Sequence, residues 1–439
     1  MPKPIEATQT PPTAASTIEA KLSSQSTNKI LDELYRGLNI FYDEGANGQY
    51  VPRTIMADLD HSSLDSIMSN QEIGKWFRPD YSLGSTGSSG NNWAKGYYTE
   101  GPELAELVMD VVRKSAESCD CIQGFQIFHS IGGGCGSGMG CFITNRLQDE
   151  YGGAMIMTNS VFPSTKTVDS VLAPYNSVLT LHHLIENVQM VNCFDNHALN
   201  QISQKLFRIE SPEMVDLNEI VAQSVTGITS SFRFSGIINS DLRKMATNLV
   251  PFPRAHFFMN SLSPLGSSFD NSDLKVEQIT SQLFNPNHFL VDANPKNGKY
   301  LTASVIFRGD VSSSSAEEQV NGILQRDSSY FYKSIPNNLQ TSICKVAPPG
   351  IKRTGTLIAN STSILTIFRQ LSSSFSMLFK RKAFMKSFEI EGMDELEFSE
   401  AISNLNDLIA EYELQEYEQD NHINVDDEEL GGGESEHVE

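Results

Sequence analysis

Nine consecutive residues, Gly132-Gly133-Gly134-Cys135-Gly136-Ser137-Gly138-Met139-Gly140, include six glycines. So little side chain lets successive backbone N–H groups turn into one concavity without Cβ clashes. A helix beginning just after the run adds partial positive charge at the same place. The chemistry such a segment can do is anion binding, and phosphate is its natural ligand. Two common phosphate patterns do not fit: no Lys-Ser/Thr pair follows these glycines, and the dinucleotide spacing fails in every register. Starting from Gly134, for example, the third glycine position holds Met139. A flexible linker fits poorly, because an apolar strand-like segment precedes the run and a helical pattern follows it.

No other segment offers comparable chemistry. Six cysteines stand at Cys119, Cys121, Cys135, Cys141, Cys193 and Cys344, none in a CxxC pair, so free thiols in a reducing compartment are expected. There is no HExxH, and the adjacent His182 and His183 would face different ways on a helix.

The elements that must position the glycine run can be read around it. Apolar residues Leu104, Leu107, Val108, Val111 and Val112 recur at helical spacing within a helix expected over 102–118. Residues 122–131 read as a short buried strand, and a helix should start near Met139. Strand, glycine turn and helix in succession suggest an α/β half with a parallel sheet. A second strand-to-loop passage is expected at 155–164, and 50–59 reads as a strand ending in the acidic turn Asp58-Leu59-Asp60. From about residue 250 the segments 250–259 and 299–309 look like strands of a second, mixed sheet. Ile364, Ile367, Phe368, Leu371, Phe375, Leu378 and Phe379 form a helical stripe. Residues 394–417 form an amphipathic helix with Ile402, Leu405, Ile409 and Tyr412 as its buried seam and an acidic outer face. The end, with its Asp426–Glu429 run and Gly431–Gly433, reads as a solvated tail.

The chain has 439 residues, enough for two or three packed domains. A formal charge of -22 repels nucleic acid and anionic lipid and favours basic protein partners. No apolar run approaches the roughly 18 residues that span a bilayer. The first 29 residues are rich in Ser, Thr and Pro and lack the apolar centre of a signal peptide.

The run GGGCGSGMG resembles the signature of the tubulin family, with Cys135 where the family has Thr. NNWAKGYYTEG (91–101), RKSAESCDCIQGFQ (113–126), VPFPRAHFFM (250–259), SSYFYKSIPNN (328–338), KRKAF (380–384) and EGMDELEF (391–398) are also similar to beta-type tubulins. The resemblance covers roughly residues 30–420. It implies an α/β fold with an N-terminal parallel-sheet nucleotide domain, a mixed-sheet intermediate domain and a C-terminal helical hairpin. The expected boundaries are 1–29 (irregular arm), 30–235, 236–370, 371–418 and an acidic tail at 419–439.

The resemblance also implies a GTP/GDP site. Ser130, Gly134, Cys135, Gly136, Ser137 and Gly138 would hold the phosphates, with Ser89, Gly90 and Asn91 as a second phosphate loop. Cys135 loses the family's hydroxyl, and a thiol is a weak donor. Asp60 takes the place of a Glu near the magnesium, one methylene shorter, with Asp58 before it. Asn196 and Asn218 would read the guanine edge. Met214 would cover the base where the family has Tyr. Asp169 stays in the ribose loop, whose closing Ala173-Pro174-Tyr175-Asn176 lacks the family's Glu.

Residues 1–29 lack the strand, glycine loop and first helix that open family members. Since the loss of a central strand would expose backbone groups, a wrongly joined start is expected rather than a true replacement. Lys244 stands where alpha-type subunits carry a catalytic Glu. The chain should therefore not activate a neighbour's GTP, and its own nucleotide would be hydrolysed only when an alpha-type partner docks. The side-contact loop, 263–274, lacks the expected Arg and Tyr, with Phe269 as a substitute aromatic. The expected role is a beta-type structural subunit of microtubules in the cytoplasm, with alpha-tubulin, motors and microtubule-associated proteins as partners. The altered side-contact loop hints at a specialised array such as a cilium or basal body. The alternatives are a nucleotide-deficient protein that caps or sequesters alpha-tubulin and, less consistent with the residues, a free-standing enzyme.

Overall fold

The computed structural model describes residues 37–45, 48–164, 170–234, 241–265 and 274–431, with side chains to 416. After a helical turn at 37–41 comes a small hairpin, β1 (Tyr42–Glu44) and β2 (Tyr50–Pro52). β3 (Met56–Asp58) leads into α1 (His61–Met68) and later pairs in parallel with β4 (Ser82–Gly84). The single strand expected over 50–59 is therefore two strands serving different sheets, split at Arg53-Thr54-Ile55. Arg53 there pairs with Asp43 at 2.9 Å, which turns the chain away from the hairpin.

Next follow α2 (Glu100–Glu117), β5 (Gly124–Ser130), α3 (Gly140–Glu150), β6 (Met155–Phe162), α4 (Ala173–Asn187), β7 (Met190–Asp195), α5 (Asn196–Lys205) and α6 (Met214–Ile228). Strands β5, β6 and β7 are parallel, as strand-helix alternation predicts. The second half adds α7 (Ser230–Arg233), α8 (Leu242–Leu249), β8 (Phe257–Ser263), α9 (Val276–Leu283), β9 (Tyr300–Gly309), α10 (Ser313–Arg326), β10 (Leu339–Cys344) and β11 (Arg353–Ser361). The chain closes with α11 (Leu365–Phe379), α12 (Met385–Glu389) and α13 (Glu395–Gly431).

The parallel and mixed halves form one seven-stranded sheet, ordered β10-β9-β11-β8-β7-β6-β5. They join where Val191–Cys193 of β7 pair with Phe257–Met259 of β8. Residues 250–256, expected as strand, form a turn instead: Pro251 and Pro253 lack the N–H a ladder needs. One face of the sheet, through Val191, Cys193, Phe257, Met259, Val305 and Leu357, packs toward α4, α11 and α13. The other, through Met190, Phe258, Ile306 and Ile358, packs on Ile228 and Phe232.

β5 differs from its neighbours. Every residue of β7, β8 and β9 is buried, whereas β5 is mostly half-buried with Phe128 60% exposed. Among the described residues it is the edge strand, which corrects the expectation of a buried one. In α11, Ile367, Phe368, Leu371 and Phe375 are buried as the stripe predicts, with Leu378 and Phe379 packed at its border. In α13 the seam runs Ala401, Leu405, Leu408 and Tyr412, leaving Ile402 and Ile409 partly covered. The backbone stays helical to Gly431, past the expected end, because the Glu- and Gln-rich stretch after Tyr412 contains good helix formers and no proline.

Candidate functional site

The glycine run connects β5 to α3 through a wide helical turn, Cys135–Met139. Its glycines are there for close approach. A Cβ on Gly134 would lie 2.7 Å from both the N and the O of Asn92 and from Cβ of Ser89, and one on Gly138 would lie 2.2 Å from the Trp93 carbonyl. The run is thus pressed against the second loop, 89–92. There Gly90 and Asn91 both adopt left-handed backbone, at φ 55° and 54°. Gly133 faces open space, its nearest neighbours being Ser130 Oγ at 3.5 Å and Asn91 Oδ1 at 3.9 Å. Ser89, Asn91, Ser130 and the glycines therefore do converge on one small cup.

The backbone N–H groups of Gly132, Gly133 and Gly134 donate to no group among the described residues. Unpaired amides gathered in a concavity are what an anion would satisfy, so the residues present fit a phosphate group. Ser137 turns inward and donates to the Gly133 carbonyl, which stiffens the loop.

Two buried side chains hold the cup. Asn176, fully buried, donates through Nδ2 to the carbonyls of Asn91 (2.7 Å) and Gly132 (3.0 Å) and accepts from the Trp93 N–H (3.1 Å). His129 Nδ1 lies 2.9 Å from the Gly136 carbonyl, and its Nε2 lies 2.8 Å from Ser160 Oγ. A carbonyl only accepts, so Nδ1 carries the proton. Burial holds this imidazole below its ordinary value of about 6.5, hence neutral at pH 7. Neither residue was assigned a role from sequence. Asn176 was noted only as the end of a segment, and its position one turn into a helix facing the glycine run was the available signal.

Cys135 points away from the cup. Its Sγ accepts from the Leu59 N–H at 3.4 Å, and burial, with Asp58 nearby, pushes the thiol up to about 12. Asp60 is the N-cap of α1 and accepts from Ser62 N (3.0 Å) and Oγ (2.8 Å); these bonds hold its carboxyl below the usual range. Asp60 could offer a carboxylate to a cation bridged to phosphate. No group of three metal-ligating side chains exists among the described residues.

Asn196 opens α5 and Asn218 lies in the first turns of α6. The two helices pack through Leu199, Ile202, Leu217 and Ile220, which places both asparagines on one helix pair. Neither side-chain amide has a partner among the described residues. Met214 begins α6 at 61% exposure, open to a planar group. Asp169 and Phe269 lie outside the described residues. Lys244 sits exposed on α8, 3.6 Å from Asp241.

The cup is coupled to the outer helices. Asn92 donates to the Ser387 carbonyl (2.8 Å), Tyr98 to Glu397 (2.5 Å) and Thr99 to Glu391 (2.8 Å). Tyr175 packs edge-on against Phe375, Phe388 and Phe398 and donates to the Ala383 carbonyl at 3.0 Å.

Comparison with known proteins bears on this geometry. Residues 18–204 match the family model described as Tubulin/FtsZ family, GTPase domain, and residues 253–373 match the Tubulin C-terminal domain. The chain is 46% identical to the tubulin beta-6 chain of Gossypium hirsutum, over 90% of this chain and 87% of that one. It is 46% identical to the tubulin beta chain of Pneumocystis carinii, over 89% of each chain. It is 47% identical to the tubulin beta chain of Saccharomyces cerevisiae, over 86% of this chain and 82% of that one. A cup of unpaired amides between a strand and a helix, set in a parallel sheet that continues into a mixed one, is thus accompanied by likeness along most of the sequence, and the chain belongs to the tubulin family.

Proposed function

We propose that this tubulin-like cytoskeletal chain is a beta-type microtubule subunit that binds GTP or GDP, its phosphates in the cup of Gly132–Gly138 and Ser89–Asn91. The observation that carries the reading is the set of unpaired amides at Gly132–Gly134, held open by Asn176. Asn196 and Asn218 would pair with the guanine edge, Met214 would cover its face, and Asp169 would approach the ribose. Magnesium would be held by Asp60 together with phosphate oxygens and water, and would neutralise charge on the phosphates.

This chain's own residues bind and orient; among those assigned here, none acts as a general base. Lys244 gives a cation where hydrolysis of a neighbour's nucleotide needs a carboxylate. Turnover at the cup would therefore wait for an acidic residue from alpha-tubulin docked over it, at an interface within cytoplasmic microtubules. The acidic outer face of α13 suits basic motors and microtubule-associated proteins.

The test is release of nucleotide from acid-denatured, purified protein, resolved by chromatography, followed by co-assembly with alpha-tubulin. About one guanine nucleotide per chain supports the reading; nucleotide-free protein that still binds alpha-tubulin overturns it. That result would favour the second reading, a nucleotide-deficient cap or sequestering protein. One observation leans that way: the Cys135 thiol is turned onto Leu59 and contributes nothing to the cup.

A further inference from the structure

Far from the cup, at the β9–β10 edge of the sheet, two arginines lack a counter-charge. Arg308, at the end of β9, is 5% exposed. Its Nε donates to the Val346 carbonyl at 3.3 Å. Arg233 ends α7, and its Nη2 donates to the Thr226 carbonyl at 2.6 Å, while its buried Nε has no partner. Both guanidiniums lie over the ring of Phe234, with Cζ at 5.1 Å (Arg233) and 5.6 Å (Arg308) from its centroid.

No Asp or Glu pairs with either among the described residues. The groups that favour their charge are Tyr42 and Cys344, a phenol and a thiol that are neutral at pH 7. Cys344 stands directly opposite Arg308 in the β9–β10 ladder. Burial and mutual repulsion disfavour the charged form of Arg233. An arginine does not escape this by losing its proton in a protein. In a chain of net charge -22, two neighbouring buried cations satisfied only by carbonyls and a ring face constitute a local excess of positive charge. A buried charge is costly unless paired, and guanidinium forks match oxyanions.

We propose that Arg233 and Arg308 form a binding site for a small oxyanion, phosphate or carboxylate, between the end of α7 and the ends of β9 and β10. The anion would take the unpaired donors of both side chains while Phe234 fixes the planes of the two guanidiniums.

The test follows the melting temperature of the full chain titrated with sodium phosphate or sodium acetate, with chloride keeping ionic strength fixed. Saturating anion should raise it by about 2 °C. The rise should survive in Gly134→Ala, which disturbs the nucleotide cup, and vanish in Arg308→Met and Arg233→Met. Arg308→Met without added anion should melt no lower than the parent, since an uncompensated buried cation is gone. A response to phosphate alone assigns a phosphate-class ligand, and one to acetate alone assigns a carboxylate. A parent that responds to neither, or an Arg308→Met that responds like the parent, overturns the proposal. If the methionine variants do not fold, selenate-soaked crystals of the parent decide it. An anomalous peak within hydrogen-bond reach of both guanidiniums supports the site, and its absence rejects it.

Discussion

The side-chain amide of Asn176 donates to the Asn91 carbonyl at 2.7 Å, across a sequence separation of 85 residues. With its second bond to Gly132, it ties the two loops of the cup together from beneath. Replacing it with Ala would leave both carbonyls and the Trp93 N–H unsatisfied in a buried place. The expected cost is roughly 2–4 kcal/mol of stability and at least about tenfold in guanine-nucleotide affinity. Urea unfolding and equilibrium dialysis on the same preparation check both numbers.

Gly134→Ala tests the close approach of the loops. Its Cβ would meet backbone atoms of Asn92 at 2.7 Å, and backbone cannot swing aside as a flexible side chain can. Nucleotide binding should be lost while the far-UV circular dichroism spectrum is kept. Unchanged nucleotide content would show that the loops are not held as described.

Acidification should destabilise the protein through its buried histidines. Burial depresses His129, His256 and His288 from the ordinary value near 6.5, and depresses His183 to about 4. Above pH 6.5 these groups are neutral in both states and contribute no pH dependence. Below it the unfolded chain takes up protons that the folded chain refuses, so stability falls as pH falls. His183, stacked on Trp93, should alone account for a loss of about 3 kcal/mol by pH 4. Urea midpoints between pH 7.5 and 4.5 should decline, and less steeply in His183→Gln.

Thiol reactivity should follow burial. Cys121 is exposed, while Cys135 and Cys141 are pushed up to about 12 and Cys193 is pushed up as well, all by burial. At pH 7.5 the thiolate fraction of the buried three is negligible. Mass spectrometry after brief iodoacetamide treatment should find Cys121 alkylated and those three intact. Early labelling of Cys135 would contradict its contact with Leu59.

Cys135→Thr replaces a weak donor with a hydroxyl. If the cup holds phosphate, guanine-nucleotide affinity should rise about three- to tenfold. A competition assay with a fluorescent GTP analogue measures it.

The sequence made the site legible in outline because its signal is local. A strand, a glycine run and a helix in succession imply an anion cup, and the structure brings Ser89, Asn91, Ser130 and Gly134 to one place as expected. What it hid were the side chains that act across the fold. Asn176 and His129 differ from other core polar residues only in what lies over them in space, and periodicity does not encode that. The orientation of Cys135 was hidden for the same reason, since it depends on where the turn after β3 lands. Strand edges failed where proline chemistry outweighed apolar content, at 250–256, and where burial depended on a neighbour, as at β5. The length of α13 was underestimated because acidity was read as solvation, although Glu and Gln favour helix.

The join between β7 and β8 is the narrowest place in the sheet. Three residue pairs connect those strands, whereas six connect β7 to β6 and β8 to β11. A plate scored along one line folds along that line. Swivelling of the cup-bearing half against the half that carries the two arginines has the fewest ladder bonds to distort at Val191–Cys193, so that line is the molecule's natural crease.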